Sequence, residues 1–155
     1  MDLAAWTTKL LISAALLGGY KAPPPPPPVA VLSQADLSAR FCGGGCRARG
    51  AYLPDRGILL AEGLDLDANP RDRSILLHEL VHYLQDTAGR FASESDCDAW
   101  RDREIEAYHV QDRYLDRYNM AIGNVAAALE VAPAACHTGA PDGPPEAMLF
   151  RGDAP

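Results

Sequence analysis

The chain lacks an apolar run long enough to cross a membrane, a basic patch and an internal repeat. Its clearest apolar stretch, residues 10–17, falls far short of the roughly 20 residues a spanning helix needs. A net charge of -7 without clustered Lys or Arg argues against a general nucleic-acid binder. The arginines of the second half alternate with Asp and Glu, the pattern of a solvated helix face. What is present is ordinary for a water-facing globular protein: 48% apolar and 23% charged residues. A length of 155 residues then suits one domain with tails and a real core.

Two further signals are incomplete. Lys9 precedes the apolar run, as in a short signal-peptide core, but Tyr20 stands where a cleavage site wants a small residue, and Asp2 weakens the positive start. Residues 1–22 therefore have two readings, a signal-like segment or a first core helix with Leu3, Trp6, Leu10 and Leu17 near one face. The balance lies with the helix. Asp65-Leu66-Asp67-Ala68-Asn69 resembles the start of a calcium loop, but the glycine due next is Pro70 and the closing Glu is Leu76. Calcium is excluded there.

Cys42, Cys46, Cys97 and Cys136 make an even set that suits two disulfides. The glycines between Cys42 and Cys46 would let that pair close, leaving Cys97 with Cys136. Four reduced thiols, or a structural zinc on them, are the alternatives. The disulfide reading places the protein in an oxidising, extracytoplasmic compartment, and the balance leans that way.

Residues 23–28 are six consecutive prolines, a stiff polyproline II spacer leading into apolar residues 29–32. A short helix follows over 33–41, with Ser33 as its cap. Residues 46–53 and 57–60 read as strands of a hairpin around Pro54-Asp55-Arg56-Gly57. Asn69-Pro70 starts a helix, with Asn at the cap, Pro in the first turn and Asp72 near the positive end of the dipole, and Gly89 stops it. A second long helix runs from about 93–95 to about 120 or beyond, where Gly123 can interrupt it. From 133 onward, Pro, Gly, Ala and Asp dominate, and the sequence reads as a disordered tail. The expected organisation is α+β: a small sheet or hairpin packed on two long helices over 29–132, preceded by the spacer and followed by the tail.

The first long helix carries His78-Glu79-Leu80-Val81-His82, an H-E-x-x-H motif. Two histidines four apart share a helical face, so both imidazoles can reach one metal ion, and Glu79 falls beside the remaining open position. This is the residue pattern of a zinc hydrolase: two neutral imidazoles and a carboxylate base.

A catalytic zinc takes three protein ligands. The second helix offers Glu104 and Glu106, about 200° apart on the helical wheel. Trp100, Ala107, Tyr108, Gln111 and Leu115 lie on the side of Glu104, which puts that carboxylate at the centre of the apolar stripe. Glu106 shares its face with Asp102, Arg113 and Arg117 and is expected to be solvated. A carboxylate on an apolar stripe is costly unless paired or bound to a cation, so Glu104 is the expected third ligand.

H-E-x-x-H followed by a glutamate on the next helix resembles the gluzincin metallopeptidases, the broad class that includes thermolysin. Glu104-Ile105-Glu106-Ala107-Tyr108 matches the second motif of several branches, with Tyr108 where an Asp or Asn often steadies a histidine ligand. The stretch 52–115 also resembles a group of short, uncharacterised bacterial zincin-like proteins. The resemblance implies peptide-bond hydrolysis by Zn²⁺ on His78, His82 and Glu104, with Glu79 as base and a peptide or protein as substrate. Tyr108, one turn from Glu104, is the foremost candidate for stabilising the oxyanion; His109, Tyr114 and Tyr83 qualify by type only. Gln85 or Asp86 is placed to support His82. The strand 57–61 either binds substrate at a sheet edge, as edge strands do in zincins, or is simply core sheet. A non-catalytic zinc module, or a zinc hydrolase of another bond, is the alternative function.

Overall fold

The computed structural model of the chain describes residues 1–45, 47–91, 96–123 and 125–131, without the side chains at 42, 96–98, 128, 129 and 131. The fold is α+β: a mixed three-stranded sheet packed against helices.

Helix α1 spans Leu3–Gly18. Asp2 caps it by accepting the Ala5 N–H at 2.8 Å, and Gly19 closes it in the left-handed conformation. Its inward face is Trp6, Leu10, Leu11, Ala14 and Ala15, repeating at helical spacing, with Leu3 and Leu17 partly buried beside them. Arg113 Nη1 donates to the Leu17 carbonyl at 2.7 Å, satisfying one of the carbonyls the helix end leaves open.

Strand β1, Val29–Leu32, follows the prolines directly. Helix α2, Gln34–Cys42, is capped by Ser33, whose hydroxyl accepts from the Asp36 N–H at 3.1 Å. Strands β2, Gly50–Leu53, and β3, Gly57–Ala61, form the hairpin. Residues 47–49 precede the strand, although the Arg49 carbonyl already accepts the Ala61 N–H at 2.9 Å. The order is β1-β3-β2, with β1 parallel and β2 antiparallel to β3. Strand β3 is thus the centre of the sheet and is buried along its whole length. It is core sheet, not an edge; its inward and outward side chains feed different layers. Ile58 and Leu60 join the main core with α1, while Leu59 and Ala61 meet Leu37 of α2 and Ala48. Gly57 has φ 86, and a β-carbon there would lie 2.2 Å from the Pro28 carbonyl oxygen. Only glycine suits both demands.

Helix α3, Pro70–Thr87, begins at Asn69, whose side chain accepts the Arg71 N–H at 2.9 Å. Asp72, in its first turn, is held by Arg49 and by the Asp65 N–H, each at 2.9 Å. Gly89, at φ 63, lies just past its end. Helix α4, Asp96–Asp116, stops sooner than its sequence pattern suggests. Asn119 takes φ 54, and Met120 N–H turns back to the Leu115 carbonyl at 3.2 Å. Asn is the residue besides glycine that tolerates this left-handed closure. Helix α5, Val125–Val131, then forms a short separate element. The tail from 133 and the side chains of all four cysteines lie outside the described residues, so the expected disulfides do too.

Candidate metal centre

The two long helices bring three ligand atoms together. Helix α3 sets His78 and His82 one turn apart, with Nε2 atoms 3.1 Å from each other. Helix α4 delivers Glu104, whose Oε1 lies 3.0 Å from His82 Nε2 and Oε2 3.3 Å from His78 Nε2. One ligand atom from each residue can be chosen so that all lie within 4.8 Å of one another, so this group could hold a metal ion. His78 and Glu104 are each only 4% exposed. The apolar-stripe argument for Glu104 agrees with this placement.

The charges fit a cation. Glu104 Oε2 is buried and accepts no hydrogen bond, although it faces His78 Nε2. The reason lies on the far side of each ring. His78 Nδ1 is 3.0 Å from Gln111 Oε1, and His82 Nδ1 is 2.9 Å from Gln85 Oε1. A neutral imidazole that donates from Nδ1 has only a lone pair at Nε2. With both rings neutral, two lone pairs and a carboxylate converge in a buried space, which suits a divalent ion. In the protein alone, burial pulls His82 down, but the Glu104 carboxylate outweighs it and lifts the imidazole to about 9. Burial likewise raises Glu104, and the two histidines together reverse that and hold it well below the usual carboxylate range.

Glu79 is buried beside the group. Burial raises its carboxyl, opposed by the charges of His78 and His82 and by the Tyr52 backbone N–H of β2, which donates to it. Gly50, the first residue of β2, makes room. A β-carbon there would come within 3.0 Å of Glu79 Oε1 and 3.1 Å of Ile75 Cγ2. The strand that meets Glu79 is therefore β2, and of the two readings of the strand 57–61 the structure shows core sheet. Gly50 was legible only as a strand glycine, a common sign of close approach.

Tyr108 is buried, with its ring centroid 4.6 Å from that of His78. Burial, and then the Glu104 and Glu79 charges, push its phenol well above the ordinary value. The other three candidates by type are engaged elsewhere. Tyr114 accepts from Arg73 Nε at 3.0 Å, Tyr83 donates to the Pro25 carbonyl at 2.7 Å, and His109 is exposed with Nε2 at 2.9 Å from Glu130. Of the two residues placed to support His82, Gln85 does so, while Asp86 accepts from the Tyr52 hydroxyl at 2.8 Å.

Glu106 is not the solvated residue its helical face suggested. Its side chain is 19% exposed and accepts from Tyr20 Oη at 2.9 Å, from Gln85 Nε2 at 2.9 Å and from Arg90. The partners come from beyond α1 and from the end of α3, so no helical wheel of α4 could display them. Gln111 was visible on the stripe of Glu104, but only as one of its members. The argument that a buried polar group needs partners applies to it equally.

A buried group of two histidines and one glutamate on helices packed against a small mixed sheet defines a candidate metal-binding domain. The chain belongs to the family described as domain of unknown function DUF6647, whose model matches residues 18–138. No curated protein and no solved structure matches it.

Proposed function

We propose that the protein is a zinc-dependent metallopeptidase. The observation that carries this reading is the pairing of the His78, His82 and Glu104 group with Glu79, a carboxyl that a metal site of purely structural purpose does not need. Zinc bound by these three residues would supply Lewis acidity toward water and the scissile carbonyl. Glu79 would take the proton from the attacking water and deliver it to the leaving amine; burial, which raises its carboxyl, suits a group that must hold that proton between the two steps. Tyr108 would stand beside His78 as a neutral hydroxyl, since its phenol is pushed up and stays protonated at neutral pH.

The test is metal analysis with turnover of a mixed peptide library. One zinc per chain is expected, lost on alanine substitution of His78, His82 or Glu104. Glu79→Gln should keep zinc and the fold while turnover falls at least a hundredfold. Full zinc retention by Glu104→Ala removes the ligand assignment, and unchanged turnover in Glu79→Gln removes the base.

The depth of burial favours a second reading, a closed non-catalytic zinc module, because Glu79 is only 6% exposed. That reading expects zinc to raise the melting temperature while neither wild type nor Glu79→Gln hydrolyses any peptide or ester offered.

A further inference from the structure

Each metal-facing imidazole has its other nitrogen against a glutamine amide, and the surroundings allow each amide one orientation. Gln85 Nε2 donates to the Arg103 carbonyl at 2.8 Å and to the Glu106 carboxylate at 2.9 Å. Both partners only accept, so both amide hydrogens are committed and Oε1 must face His82 Nδ1. Gln111 Nε2 donates to Ser74 Oγ at 2.9 Å. That hydroxyl gives its own proton to the Arg71 carbonyl at 2.7 Å, and in this arrangement it accepts from Gln111. Gln111 Oε1 is thereby turned to His78 Nδ1. An amide oxygen accepts, so each ring must donate from Nδ1, and in the neutral ring Nε2 is then the bare nitrogen.

We infer that Gln85 and Gln111 are positioning residues that hold Nδ1–H on both imidazoles, so that each ring turns Nε2 to the metal beside Glu104 and any proton displaced on binding leaves from Nε2. The inference rests on the zinc-centre reading above. It departs from the pattern the sequence resembles, where an Asp or Asn stands at the Tyr108 place. Here Tyr108 packs on the face of His78, and the support comes from Gln111, three residues further along α4. Both acceptors are neutral. A neutral amide fixes the tautomer without adding the ligand basicity that a carboxylate would. The two functions of such a partner are therefore separable by substitution.

The experiment measures zinc affinity by competition with a chelator and follows the imidazole N–H protons of the zinc-loaded full chain by ¹⁵N-resolved NMR. Wild type should show two slowly exchanging Nδ1–H signals, one per histidine, with coordination through Nε2. Gln111→Met should weaken zinc about tenfold or more and lose the protected signal of His78 alone. Gln85→Met should do the same for His82 alone. Gln111→Glu keeps an acceptor for His78, and Ser74 can turn its hydroxyl to the new carboxylate. This variant should retain the His78 signal and bind zinc at least as tightly as wild type. Equal weakening by Met and Glu at 111 would mean that the glutamine only fills space, and would overturn the inference. Zinc affinity within twofold of wild type in both Met variants, or coordination through Nδ1, would overturn it too. A wild-type chain that binds no zinc overturns the inference and the hydrolase reading together. Absence of hydrolysis with the variants behaving as expected removes the hydrolase reading alone.

Discussion

Glu104 and His82 set the pH response of the metal-free protein. His82 is lifted from 6.5 to about 9, so its pairing with Glu104 contributes fully below pH 6.5 and is lost as pH rises through 9. Glu104 is held low, so its contribution is present above the ordinary carboxyl range and is lost only in strong acid. Metal-free protein should therefore lose on the order of 3 kcal/mol between pH 6.5 and 9 by chemical denaturation. With zinc the trend should vanish or reverse, because deprotonated ligands bind metal better. A flat metal-free profile would show that His82 is neutral throughout. At this scale much of the candidate site could be read directly: the histidine spacing points to two of its residues, and one buried carboxylate on an apolar stripe points to the third. The glutamines could not be assigned in the same way. An amide is uncharged, so its presence on a stripe raises a weaker demand for a partner than Glu104 does, and its partner sits on another helix.

Among the elements, α3 was legible at both ends because its signals are local. Asn69, Pro70 and Gly89 act within a turn of themselves. The end of α4 depends on Asn119 taking a conformation that glycine adopts more readily, so the nearby Gly123 was the more conspicuous stop. The centrality of β3 was hidden, since its parallel pairing with β1 reaches across the whole α2–β2 excursion. Gly57 is the test of that arrangement. Its φ and the approach of Pro28 both forbid a side chain, so Gly57→Ala should destabilise the protein by about 2 kcal/mol or more in denaturant titration. Glu106 tests the packing of α4 against α3. Glu106→Ala leaves donors of Tyr20, Gln85 and Arg90 without their acceptor, and should lower stability by about 1–2 kcal/mol while one zinc per chain is still bound. Loss of zinc stoichiometry in that variant would place Glu106 nearer the metal than Gln85 allows.

For the molecule as a whole, the candidate metal centre lies between the two long helices, and α1 completes their core from ahead of most of the span that the family model matches. Among the described residues no helix is long and apolar enough to cross a membrane. The sheet, by contrast, ends on one side in β1, whose Val31 is 53% exposed. An unpaired strand edge of this kind is a template on which another copy can add, and small sheets leave it little cover. The six prolines immediately before it change that prospect. They keep their carbonyls but present no N–H, so an incoming strand finds backbone donors only within the four residues of β1, too few to seed a growing stack. The run that links α1 to β1 would thus also act as a gatekeeper against self-association. Replacing Pro26, Pro27 and Pro28 with serine should leave zinc binding intact yet shorten the lag of heat-induced aggregation, followed by light scattering below the melting temperature.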